Sequence, residues 1–230
     1  MKRRTFVAGG IAMAACRPAY ASGAVPQPIS TNLVQATRRE WQGRECLAVE
    51  LTDDEQKLRL GTAGGGNRPS IAVIHEGFAD GTLEVAIGAE LTGKGAPDDR
   101  GFAGLSFHIG PDFASHETVY LRMTNGRLND PPPPAPRIDR AIQYVADPGF
   151  HFDRSRAEFP GRYEKGADIA VGRWHRLRLE IAGRELRASV DAKEVLVVTD
   201  LRFPDRTGPV GLFVGDGSRG YFRDLLVVPG

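Results

Sequence analysis

The chain has 230 residues, a formal net charge of +1, 28 glycines and 16 prolines. A near-neutral balance excludes a dedicated nucleic-acid binder, which carries a basic excess. The length suits one all-β domain and is enough to bury roughly 70% of the unfolded surface, so no metal or disulfide is needed to complete a core.

Residues 1–21 have the form of an export signal. Arg3 and Arg4 precede Thr5, Phe6 and an apolar run over 7–15, and Ala19-Tyr20-Ala21 is an A-x-A cleavage site. The apolar run is shorter than the ~20 residues of a membrane span. The arginine pair followed by an aromatic residue indicates the twin-arginine route. The mature chain is therefore expected outside the cytoplasm, periplasmic or extracellular. A rival cleavage stays open: Met13-Ala14-Ala15-Cys16 resembles a lipobox, which would lipidate Cys16 and anchor the chain. Either way Cys46 has no partner in a soluble mature chain and is expected as a small buried hydrophobe.

A Pro-containing leader over 22–28 precedes a single domain over 29–230. The first strands are expected at 29–37 and 46–52, with a charged turn at 53–57. Gly64-Gly65-Gly66-Asn67 lacks the Gly-Lys-Ser/Thr of a phosphate-cradling loop, and a β-branched, strand-like segment follows it at 70–75. From Gly77 onward the pattern alternates with period two. Leu83, Val85 and Ile87 form one face; Ala103, Leu105, Phe107 and Ile109 another; Val119, Leu121 and Met123 a third. Pro131–Pro134 cannot sit inside a sheet and marks a surface loop. Leu177, Leu179 and Ile181 face inward, Gly183-Arg184 suits a II′ hairpin, and Leu186, Ala188 and Val190 continue the buried side. Strands at 194–199, 210–214 and 221–228 close the domain. No segment past residue 24 shows an amphipathic helix of ordinary length. About a dozen short strands punctuated by Gly, Pro, Asn and Asp predict an all-β, two-sheet antiparallel sandwich of the jelly-roll kind.

The faces opposite the apolar ones carry the candidate site. Over 102–109, 118–124 and 141–146 the non-core side presents Ser106, His108, Tyr120, Arg122 and Gln143. Gln143 and Tyr144 point to opposite faces, and Tyr144 is the core member. Arg137 and Arg140 flank the proline loop, and Glu117 and Glu164 are the carboxylates nearest in sequence. An aromatic, a planar cation and an amide on one open face suit a sugar: hydroxyls pair with Arg and Gln, and a pyranose ring stacks on Tyr. The bland alternative is an ordinary solvated outer face, with Arg122 lying over Tyr120. The five histidines form no H-x-H or H-x-x-x-H pair, which argues against a zinc site, and no dinucleotide fingerprint occurs.

Several segments resemble a known family. They are F-x-D-G-T-L-E-V at 78–85, G-F-A-G-L-S-F at 101–107, E-T-V-Y-L-R at 117–122 and A-I-Q-Y at 141–144. Y-E at 163–164, W-H-R-L-R-L at 174–179 and Y-F-R-D-L at 221–225 complete the set. From about residue 47 onward the chain resembles the concanavalin A-like lectin/glucanase jelly rolls, nearest to their laminin-G-like and 3-keto-disaccharide hydrolase type. The resemblance implies a curved front sheet with a concave face open to solvent, often used for glycans. It also implies that loop aspartates such as Asp98, Asp99, Asp112, Asp130 and Asp147 are candidates for a structural calcium, although no EF-hand spacing is present. No cofactor is required. The E-x-D-x-x-E run of laminarinase-like relatives is missing, which argues against a retaining glucanase.

Three functions follow as expectations. The first is an exported glycan-binding domain whose ligand contacts come from His108, Glu117, Tyr120, Arg122, Arg140, Gln143 and Glu164. The second is a 3-keto-glycoside hydrolase acting by elimination, with His108 or Glu117 as base and Arg122 stabilising the enolate. The third is a non-catalytic interaction domain of the cell envelope, contacting a protein partner through the proline loop.

Overall fold

A computed structural model describes residues 25–61 and 68–230. The signal residues Arg3, Arg4, Cys16 and Ala21, and the glycine run of the rejected phosphate loop, lie outside the described residues. Among the described residues fourteen strands, numbered along the chain, make two seven-stranded sheets in which all neighbours run antiparallel.

The front sheet contains, in spatial order, β1 (Ser30–Asn32), β4 (Ile71–Phe78), β13 (Gly208–Val214), β6 (Phe102–Phe107), β7 (His116–Arg122), β8 (Ile142–Asp147) and β9 (Glu164–Lys165). The back sheet contains β12 (Lys193–Val198), β11 (Glu185–Val190), β10 (His175–Ala182), β5 (Gly81–Leu91), β14 (Ser218–Pro229), β3 (Arg44–Leu51) and β2 (Val34–Trp41). Alternation places Leu83, Val85, Ile87, Leu177, Leu179 and Phe222 of the back sheet against Leu105, Phe107, Val119, Leu121, Tyr144 and Leu212 of the front sheet. All are fully buried in one core. This is the expected two-sheet sandwich, and Tyr144 belongs to its interior. The hairpin after β10 turns at Gly183 with φ of 54°, while Arg184 keeps a negative φ, as a II′ turn requires.

Several local expectations are corrected. The strand expected at 29–37 is broken at Leu33, whose φ is 60°, into β1 and β2. The strand expected to continue to 109 ends at Phe107, because His108 enters the left-handed region at φ of 51°.

Two helices stand where none was expected. The helix α1 (Asp53–Leu60) replaces the charged turn. Thr52 caps it by accepting from Glu55 N at 3.3 Å, and Asp53, Asp54 and Glu55 occupy its first turn, where acids favour the helix dipole. Its buried residues are Glu55, Gln56 and Arg59, so its inner face is polar. Arg59 bonds Glu55 at 2.8 Å, Asp216 at 2.6 Å and the Arg68 carbonyl at 2.7 Å, and Gln56 accepts from Gly217 N at 2.9 Å. These bonds seat α1 on the turn between β13 and β14. The helix α2 (Phe152–Glu158) packs beside β8, and Arg156 lies over the Phe152 ring at 4.8 Å.

Candidate functional site

The outer face of the front sheet is covered along much of its length. On β7 this face carries His116, Thr118, Tyr120 and Arg122; on β6, Phe102, Gly104 and Ser106; on β8, Gln143, Val145 and Asp147; on β13, Phe213. The expectation of an open polar face is corrected here: Tyr120 is 4% exposed and Arg122 5%.

Burial decides what these groups can do, because a buried polar group must find its partners inside the protein. Arg122 donates to the Tyr120 hydroxyl at 2.9 Å, to Gln143 Oε1 at 3.3 Å from both terminal nitrogens, and to the Arg140 carbonyl at 3.3 Å. Gln143 gives its amide N–H groups to the carbonyls of Tyr144 and Tyr163 at 2.8 and 3.1 Å. Glu164 is held by three guanidiniums: Arg156 at 2.6 Å, Arg140 at 3.1 Å and Arg122 at 3.6 Å. Tyr120, Arg122, Arg140, Gln143 and Glu164 are therefore brought together. Their hydrogen bonds, however, are made to one another. Desolvation pushes the Arg122 guanidinium below its ordinary value and the Tyr120 hydroxyl above its own.

His108 and Glu117 lie elsewhere. Glu117 shares the inward parity of Val119 and Leu121, and both residues are fully buried. Glu117 Oε1 accepts from the Tyr144 hydroxyl at 2.5 Å and from Arg202 N at 2.8 Å, while Oε2 pairs with His108 Nδ1 at 2.6 Å. His108 Nε2 donates to the Ala79 carbonyl at 2.8 Å. Burial and the Glu117 carboxylate both push the Tyr144 hydroxyl upward. This network ties the ends of β6, β7 and β8 to the loop after β12, and neither residue reaches the outer face.

What does open on that face is a cleft of about 330 Å3 between α1 and α2. Pockets that hold small molecules run from roughly 300 to 1,000 Å3. Its floor is aromatic. Tyr120 sits between Phe102 and Phe213, with ring centroids 6.0 and 5.3 Å away, and Phe152 adds a wall. Gly104 makes this possible: a Cβ there would lie 2.6 Å from both Cα and Cβ of Tyr120 and 2.3 Å from the Val119 carbonyl oxygen. Phe102, Phe213 and Phe152 are half-buried, so their faces remain available.

The rim is polar at both ends. One end holds Asp98, Asp99 and Asp216 beside Arg59 and Arg68. Burial, then the nearby Asp216 and Asp98 carboxylates, push the Asp99 carboxyl up to about 6. The other end holds His116, Asp147 and His151. Burial pushes Asp147 up to about 6, and it pushes both His116 and His151 down to about 4. Among the described residues no three His, Cys, Asp or Glu side chains are grouped to hold a metal ion.

Of the residues read from the sequence as ligand contacts, Tyr120 alone lines this cleft. Arg122, Arg140, Gln143 and Glu164 are bonded to one another beside it, and His108 and Glu117 lie in the interior. Sequence reasoning missed Phe102, Phe213, His116, His151 and Asp147 as members of one site, although Asp98, Asp99 and Asp147 already stood out as loop aspartates. The available signal was Phe102 on the non-core parity of its strand.

No protein-family model matches the chain, and no curated protein matches it by sequence. Solved structures do. A carbohydrate-binding module, CBM66 from Bacillus subtilis, is similar at a TM-score of 0.52 and 14% identity, covering 85% of this chain and 94% of that one. A Bacillus subtilis protein of galectin-like fold is similar at 0.48 and 12%, covering 90% and 97%. The carbohydrate recognition domain of Emp47p is similar at 0.42 and 14%, covering 86% and 90%. At such identities the likeness to the first of these speaks to the fold. Together with the two seven-stranded sheets it defines the fold class: a concanavalin A-like, two-sheet antiparallel β-sandwich.

Proposed function

We propose that this protein is an exported, non-catalytic carbohydrate-binding domain that takes a saccharide in the cleft between α1 and α2. One observation carries the reading: half-buried phenylalanine faces on the floor, with carboxylates and imidazoles at the rim, on the outer face of a lectin-type sheet. A sugar presents an apolar C–H face and a girdle of hydroxyls, and the cleft offers stacking to the first and hydrogen-bond acceptors to the second. The export signal read at residues 1–21 supports a ligand met outside the cytoplasm.

Hydrolysis is less well supported. Paired-carboxylate glycosidases hold their two groups roughly 5–9.5 Å apart. Here Asp147 pairs in register with His116, while Asp99 precedes Phe102, which pairs with Arg122. Six residues of β7 separate those two rows, about 20 Å of strand, and of the carboxylates that do cluster, Asp98, Asp99 and Asp216, the last is already bonded to Arg59. The elimination route also loses its assigned groups, since His108 and Glu117 face the interior and Arg122 is committed to Gln143 and Tyr120.

The test is a glycan array followed by calorimetry with the best ligand. Phe213→Ala and Phe102→Ala are expected to weaken binding at least fivefold while leaving a cooperative melt. A verified folded protein that binds no glycan overturns the proposal.

A further inference from the structure

Three polar atoms at one end of the cleft have no hydrogen-bond partner among the described residues. His116 is 3% exposed, and its Nδ1 lies 3.0 Å from the Phe113 carbonyl oxygen. A carbonyl only accepts, so Nδ1 carries the ring proton and Nε2 of the neutral imidazole is a bare lone pair. That lone pair stands 3.6 Å from Oδ2 of Asp147, whose carboxylate receives no hydrogen bond from the described residues. His151, beside them, has a buried Nδ1 with no partner. Two acceptors and a third, unpaired ring nitrogen thus meet at one place.

The rest of the lining points the same way. Besides Asp147, the cleft wall includes Asp98, Asp99 and Asp216. Its two cations are already committed: Arg59 to Glu55 and Asp216, and Arg68 to Glu55 at 2.6 Å. The titratable groups that act on His151 are Asp153, His116 and the guanidiniums of Arg122 and Arg156, both of which engage Glu164. Arg122 is rooted six residues further along β7 than His116.

Resting on the carbohydrate reading above, we propose that the His116–Asp147–His151 end of the cleft is a subsite for the ammonium group of an amino sugar. An ammonium brings three donors and one positive charge. A neutral hydroxyl brings a single donor, and an acetamido group brings one donor, no charge and more bulk. Acidic sugars meet like charge at Asp147 and at the Asp98–Asp99–Asp216 end.

The experiment titrates the full chain at pH 7 with a glucosamine trimer, its fully N-acetylated counterpart and a neutral glucose trimer. The expected result is at least tenfold tighter binding of the glucosamine trimer, with the preference falling below threefold in Asp147→Asn. The wild-type comparison stands by itself should that variant fold poorly. Equal binding of the three trimers overturns the amine subsite and leaves the carbohydrate reading intact. A preference that persists in a folded Asp147→Asn also overturns it. Binding of none of them, nor of any other glycan, removes both readings.

Discussion

Nε2 of His116 and Oδ2 of Asp147 face each other at 3.6 Å across β7 and β8, and His116 brings no proton to the gap because its Nδ1–H is held by Phe113. The pair is therefore sensitive to any proton placed between them.

Burial of both groups gives a stability profile with opposing parts. Asp147, raised to about 6 from 3.8, contributes stability that is present below pH 3.8 and is lost as pH rises through 6. His116 and His151, lowered to about 4 from 6.5, contribute stability that is present above pH 6.5 and is lost as pH falls through 4. The two trends offset between pH 4 and 6.5. Asp147→Asn removes the first, so the variant is expected to exceed the wild type above pH 6 by up to about 2–3 kcal/mol, from roughly two pKa units of relief. Its stability then falls more steeply on acidification. Urea denaturation at pH 4.5, 5.5, 6.5 and 7.5 measures both; an unchanged profile contradicts the burial of Asp147 as a charged group.

Glu164 is the counter-charge for a buried guanidinium. Removing it strands Arg122, which is 5% exposed and near two further cations, Arg140 and Arg156. Glu164→Gln is expected to cost about 3–5 kcal/mol, the range for breaking one partner of a buried pair. Arg156→Ala leaves two guanidiniums on the carboxylate, and should cost less than half as much. Guanidinium denaturation of the two variants ranks them.

Gly104 is a clearance residue. In Gly104→Ala the new methyl would meet the Val119 carbonyl oxygen at 2.3 Å, which the hydrogen-bonded β6–β7 pair cannot relieve by a side-chain turn. A loss of about 2–3 kcal/mol is expected, as for overpacked cores. The same change should weaken ligand binding by displacing Tyr120. A thermal melt identical to wild type would contradict this account.

Glu117 separates architecture from recognition. Its oxygens receive the Tyr144 hydroxyl and Arg202 N and pair with His108, all inside the sandwich. Glu117→Leu should cost about 3 kcal/mol or more by leaving those polar groups unpaired. Saccharide affinity per folded molecule should stay within twofold of wild type. A large affinity loss in a folded variant would return Glu117 to the ligand site.

Cys46 is 3% exposed beside Trp41 and Tyr221, and burial pushes its thiol upward. Its alkylation at pH 8 is expected to track global unfolding, with protection lost in denaturant.

Alternation alone was enough to establish the class of fold and most of the core. A strand shows its two faces in the order of its residues, so Leu83, Val85, Leu177, Leu179 and Tyr144 were legible as interior, and Cys46 as a small buried side chain. Period two also put Tyr120, Arg122 and Gln143 on one side of the front sheet. It does not record what covers that side. Only the tertiary structure laid α1 and α2 over it, turned Arg122 and Gln143 toward each other and left a cleft over Phe102 and Phe213. The helix α1 was invisible because its buried face is Glu55, Gln56 and Arg59, held by ion pairs to distant Asp216 and Arg68 that leave no periodic apolar trace. Glu117 reads as a ligand contact by its nearness in sequence, although it shares the parity of Val119 and Leu121; the cost of its burial is met by His108, Tyr144 and Arg202, which lie 9, 27 and 85 residues away along the chain. Hydrophobic periodicity is written locally, whereas a buried charge is stabilised by whichever donors the fold brings to it.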